Sequence, residues 1–102
     1  MIEQVYRFAA AEDKVIERVI QDETLHLNHM VLPKGESFPE HAANAAVYMI
    51  VARGRLSIDL NGQGTHEYGR GAVLKIPQGT KMKGINRQDE ALELIVVKLF
   101  TL

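Results

Sequence analysis

The sequence predicts an all-β domain of the barrel or sandwich kind, on three observations. Turn signals recur at close intervals, the segments between them are only about six to nine residues long, and those segments are β-branched or alternate between apolar and polar residues. The turns are Pro33-Lys34-Gly35, Arg53-Gly54, Asn61-Gly62, Gly69-Arg70-Gly71, Pro77-Gln78-Gly79 and Arg87-Gln88-Asp89. Such spacing suits consecutive short strands and leaves no room for the longer helices of βαβ units.

Along the chain, Ala9 to Asp22 leaves two states open. Val15, Ile16, Val19 and Ile20 fit helical spacing, whereas the β-branched run Val-Ile-Glu-Arg-Val-Ile favours a strand, with a short helix over Ala9 to Asp13 ahead of it. Thr24 to Leu32 reads as extended. His26 and His29 stand three apart on it, so alternation sends them to opposite faces, and the sequence leaves open which one faces inward. Leu56-Ser57-Ile58-Asp59-Leu60 alternates strictly, and Asn61-Gly62 supplies the positive φ angles of a tight hairpin. His66, in that hairpin, is expected to be solvated. Val73 to Ile76 and Leu92 to Leu99 complete the strands, the last rich enough in Val, Ile and Leu to be buried on both faces.

Residues 1–102 are expected to form one domain, a length that supports one core and not two. Lys and Arg number 12 against 13 acids, so no basic field gathers phosphates and nucleic acid is not an expected partner. The chain has no cysteine, which excludes disulfides, thiolate metal sites and a thiol nucleophile. Ala45 to Ala52 and Leu94 to Val97 are too short to span a bilayer, and Met1 to Lys14 has no apolar run of signal-peptide length. The expectation is a cytoplasmic protein with no membrane partner.

Two glycine-framed segments carry a more specific signal. The first is Gly35-Glu-Ser-Phe-Pro-Glu-His41, closed by Gly54, and the second is Gly71-Ala-Val-Leu-Lys-Ile-Pro77-Gln-Gly79, followed by Asn86. They resemble the paired motifs of the cupin superfamily, at about 35–54 and 71–86, and the likeness runs over about Pro33 to Leu99. The resemblance implies a β-barrel of the double-stranded β-helix, or jelly-roll, type. It also implies four metal-ligand positions inside the barrel. His41 keeps the first of them, while the second histidine falls on Ala43, the glutamate on Val47 and the third histidine on Met82. A catalytic metal commonly takes three protein donors and leaves a position open, and one imidazole does not supply them. Met82, Asn44 and Glu40 are mismatched in softness as substitutes. No metal or other cofactor is expected.

His41, Val47, Met49, Met82 and Phe38 are the candidate ligand-binding residues, with core packing the competing reading for the apolar members. The expected function is non-catalytic binding of a small molecule, or a protein partner, in or at the mouth of the barrel. Two alternatives stand beside it. The first is an isomerase-like or epimerase-like enzyme, or a metal-dependent dioxygenase, using His41; in the metal-free form His41 pairs with Tyr48 or Tyr68 as acid and base. The second is a structural or regulatory module that forms a homodimer, with Ile2 to Phe8 in the interface. Lys81, Lys83, Arg53 and Arg55 read either as attractors for an anion or as ordinary solvated charges. No phosphate loop, His-Glu-x-x-His or nucleophile elbow is present, and Ser37 and Ser57 have no evident base beside them.

Overall fold

The alternation seen in Leu56–Leu60 governs the whole molecule in the computed structural model, which describes residues 1–100. Nine strands form among them: β1 (Val15–Gln21), β2 (Leu25–Leu32), β3 (His41–Ala42), β4 (Ala46–Arg53), β5 (Arg55–Leu60), β6 (Thr65–Gly69), β7 (Val73–Ile76), β8 (Lys81–Ile85) and β9 (Leu92–Leu99). All their pairings are antiparallel. They build a five-stranded sheet in the order β1-β2-β9-β4-β7 and a four-stranded sheet in the order β3-β8-β5-β6. The consecutive strands β4 and β5 fall in different sheets, so the chain crosses between layers at Gly54, as a double-stranded β-helix requires.

Gly54 is the one residue type that fits this crossing. Its φ is +79°, and a Cβ there would stand 2.5 Å from the backbone oxygen of Ala91. At the hairpin after β5, Asn61 and Gly62 take φ values of 55° and 72°, and the Asn61 side-chain oxygen accepts the Lys81 N–H at 2.8 Å.

One face of each sheet closes on the core. Met30 and Leu32 from β2, Val47, Met49 and Val51 from β4, and Leu92, Leu94 and Val96 from β9 point inward. They meet Leu56 and Ile58 from β5 and Met82 from β8. Phe38 joins them because β8 has glycine at position 84: a Cβ on Gly84 would run into the Phe38 ring. Asn86, fully buried, clamps the chain at this end. Its Nδ2 donates to the carbonyls of Leu32 and Glu90, both at 2.8 Å, and its Oδ1 accepts the Gln88 N–H at 2.9 Å.

The ambiguous stretch resolves as the strand β1, and the short helix expected over Ala9 to Asp13 is absent. Its backbone groups are engaged elsewhere. The Ala9 N–H goes to the Glu17 carboxylate at 3.1 Å and the Ala11 carbonyl accepts from Arg53 at 3.2 Å, so they are tied to β1 and β4 rather than to a helical turn. Among the described residues no helix is long and apolar enough to cross a membrane.

Candidate functional site

The registers of the five-stranded sheet fix what each face presents. On the inward face, one row across the strands reads Gln21, His26, Lys98, Val47, Ile76. The next reads Arg18, Asn28, Val96, Met49, Leu74, and the third Ile16, Met30, Leu94, Val51. Toward β4 and β7 these rows are hydrocarbon and belong to the core. Toward β1 and β2 the first two rows turn polar, with Gln21, His26, Arg18 and Asn28, where β1 is an edge strand with no neighbour beyond it.

The result is a cavity of about 460 Å³ at the open mouth of the barrel. From the sheet it is lined by Ile16, Arg18, Gln21, His26, Asn28, Met30 and Lys98, and from the facing loop by Phe38, Pro39, His41 and Asn44. Of the two histidines on β2, His26 is the one that faces inward and joins His41. Its ring packs edge-on against Phe100 at 4.5 Å between centroids. The His41 Nδ1–H donates to the Pro39 carbonyl at 2.7 Å, so the ring is anchored to the loop through that nitrogen. Phe38 lies edge-on to His41 at 6.3 Å. The Oδ1 of Asn28 is buried without a hydrogen-bond partner among the described residues.

Of the candidate binding residues, His41 and Phe38 line this cavity. Val47, Met49 and Met82 do not: all three are fully buried in the packed core, where they fill space between the sheets. Met82 pairs opposite His41 across β3 and β8, so two of the four positions that the cupin resemblance assigns to metal ligands lie side by side. The donors there do not suit a divalent ion, since Ala43, Val47 and Met82 are buried among carbon atoms and give one thioether beside one imidazole. Among the described residues no group of three His, Cys, Asp or Glu converges on a point that would hold a metal ion.

The acid–base pair of His41 with a tyrosine does not assemble. Tyr48 points to the outer face of its sheet, with Lys75 at 5.9 Å from its ring, because it alternates with the inward Val47 and Met49. Tyr68 packs against the core from β6, and neither ring lines the cavity with His41. His66 is exposed on β6.

A second polar cluster lies on the opposite face of the same sheet. There the rows read Glu17, His29, Ile95, Ile50, Val73 and then Val15, Val31, Glu93, Arg53. His29 is fully buried, with Nδ1 2.8 Å from Glu17 Oε2 and Nε2 2.6 Å from Glu93 Oε2. Arg53 extends the chain of charges, 2.8 Å from Glu12 and 3.6 Å from Glu93. The Phe8 ring stacks on His29 at 4.2 Å, so residues Phe8 to Glu12 form a strap across the cluster. The hydrogen bond from His29, aided by the Ala9 N–H, holds the Glu17 carboxyl below its usual range. The hydrogen bond to Glu12 raises the Arg53 guanidinium still further. The two carboxylates approach opposite nitrogens of one ring, so this trio cannot close on a single ion.

Sequence reasoning missed Arg18, Asn28 and Lys98 in the cavity and the Glu17–His29–Glu93–Arg53 chain outside it. A signal existed for Lys98, which shares parity with Leu92, Leu94 and Val96, and for Glu93, which takes the other parity.

Comparison with known proteins agrees with this architecture. The family model described as "Cupin domain" matches residues 28–98. An uncharacterised protein of Methanocaldococcus jannaschii is 38% identical over 99 residues, covering 96% of this chain and 85% of its own. Its crystal structure, described as an RmlC-like cupin with a double-stranded β-helix fold, superposes with a TM-score of 0.93 over 97% of this chain and 92% of that one. A Cupin 2 conserved barrel protein from Salinispora arenicola matches with a TM-score of 0.76 at 18% identity, over 93% of this chain and 82% of its own, and shares the fold alone.

Proposed function

This chain belongs to the cupin domain family, and we propose that it is a binding barrel that takes a small molecule at its mouth without using a metal in its interior. The observation that carries this reading is the division of the inward face. Ala43, Val47 and Met82, at three of the four positions where the cupin resemblance puts metal ligands, are packed into a hydrocarbon core, while the mouth keeps a polar, lined cavity of about 460 Å³ with His26 and His41 on its walls. A cavity of that size suits a small ligand held by a few placed polar groups. Acid–base catalysis by His41 with a tyrosine has no support in this arrangement, since both tyrosines lie off the cavity.

The test is a fragment screen read by amide chemical shifts on the full chain. The reading expects saturable shifts that cluster at Arg18, His26, Asn28, His41 and Lys98. Shifts confined to other surfaces would overturn it, as would stoichiometric tight binding of zinc, iron, nickel or manganese by the purified protein.

Pairing with a second copy is a compatible reading with its own support. Ile2, Val5, Tyr6 and Phe8 are exposed on one N-terminal arm, an unusual concentration of apolar side chains for a monomer's surface.

A further inference from the structure

We infer that the ligand taken at the mouth is a small anion, specifically a carboxylate that also carries a hydroxyl. This deepens the binding reading above and rests on it. The first ground is charge. Arg18 and Lys98 line the cavity, and among the described residues no carboxylate does, although the chain as a whole carries a net charge of −1. The other cavities are balanced or acidic: Glu40 and Asp59 face Lys83 and Arg87 in one of about 400 Å³ beside β5 and β8, and Glu12 and Glu93 face Arg53 under the strap. The cationic excess sets the barrel mouth apart from these two. Asp22, in the β1–β2 turn, has its Oδ1 committed to the N–H groups of Thr24 and Leu25 at 2.8 and 3.0 Å.

The second ground is position. Lys98 has the inward parity of Leu92, Leu94 and Val96 and is half-buried, so its side chain lies along the wall of the barrel mouth. Arg18 stands one row away and one strand beyond β2, on the order of 12 Å from Lys98 at ordinary strand spacing. Two long flexible cations at that separation converge on one small anion. The third ground is Asn28, which pairs with Arg18 across β1 and β2 and whose Oδ1 is buried without a partner among the described residues. A hydroxyl both donates and accepts, so it satisfies that amide in either orientation.

Calorimetric titration of the full chain with succinate, succinamide and malate decides this. Succinate is expected to bind at least about tenfold more tightly than its neutral diamide, and malate more tightly than succinate. Lys98→Gln and Arg18→Gln, with unchanged far-ultraviolet circular dichroism, should erase the preference for succinate, and Asn28→Val should erase only the advantage of malate. Equal binding of succinate and succinamide would overturn the anion assignment while leaving a small-molecule site in place. An advantage of malate that survives Asn28→Val would overturn the hydroxyl assignment. If none of the three compounds binds, the inference fails, and the fragment screen reports separately on whether the mouth binds anything.

Discussion

The Nε2 of His29 lies 2.6 Å from Glu93 Oε2, and this contact ties the second strand to the last across the outer face of the larger sheet. With Glu17 at the other nitrogen, each ring nitrogen lies within hydrogen-bond reach of a carboxylate, and the imidazole sits at the centre of a buried polar chain. Breaking such a chain by removing one member leaves uncompensated charge, whereas removing all of it does not. His29→Leu is therefore expected to lower stability by about 3 kcal/mol, the lower end for buried pairs because both carboxylates keep some solvent access. The triple change Glu17→Gln, His29→Leu, Glu93→Gln, which leaves Arg53 paired with Glu12, should recover most of that loss. Urea midpoints of the three proteins check both statements.

Carboxyls held below their ordinary values set the acid limb of the stability curve. Glu17 and Asp22 are held below their ordinary values of 4.5 and 3.8, Glu17 chiefly by His29 and Asp22 chiefly by the Leu25 N–H. A carboxyl with a depressed folded-state value contributes stability that is present above its unfolded value and is lost as pH falls through the folded one. Urea midpoints should therefore decline from about pH 5 downward. Glu17→Gln should be less stable at neutral pH and show a flatter decline. A wild-type midpoint that stays constant down to pH about 3 would contradict this account.

Asn86 is the structural counterpart of the polar mouth. Asn86→Ala strands the carbonyls of Leu32 and Glu90 and the N–H of Gln88, and is expected to cost about 2–4 kcal/mol. Its effect on binding at the mouth should be small, because Asn86 does not line that cavity. Thermal unfolding beside succinate titration separates the two.

Gly84 and Phe38 should behave as a coupled pair. Gly84→Ala drives a methyl group into the Phe38 ring and is expected to cost about 1–3 kcal/mol through overpacking. Phe38→Leu added to it should return part of that loss, giving a coupling energy of about 0.5 kcal/mol or more in a double-mutant cycle. Gly84→Ala should also weaken ligand binding, since Phe38 is a wall of the mouth cavity.

The exposed arm makes a separate prediction about mass. Light scattering at micromolar concentration should give twice the chain mass, and a variant with Ile2, Val5 and Tyr6 changed to Ser should give the monomer value. A monomeric wild type would refute pairing.

Much of this fold could be read from the sequence, and the exceptions have physical causes. Leu56–Leu60 and Asn61-Gly62 form the strand and turn that their alternation and φ requirements demand, because both signals are local. Val15, Ile16, Val19 and Ile20 mimicked helical spacing because β1 shifts register between Arg18 and Ile20, which reverses the parity of its apolar residues partway along. The arm and strap defeated local reasoning for another reason: alanine favours helix, but Arg53 and Glu17 claim the backbone groups a helix would have used. The inward parity of Val47, Met49 and Met82 followed from the cupin resemblance. Whether those side chains would line a space or fill one depended on Phe38 and the second sheet, which no single segment encodes.

The split of β2 into two chemistries makes the register of that strand a fixed quantity. A slip of one residue against its neighbours would carry Leu27 and His29 to the mouth and send His26 and Asn28 beneath the strap, so the cavity walls and the polar chain would be lost in a single event. A slip of two would keep each side chain on its own side of the sheet. Pairing with β9 along the whole of β2, and with β1 on the other side, is what holds the strand against either.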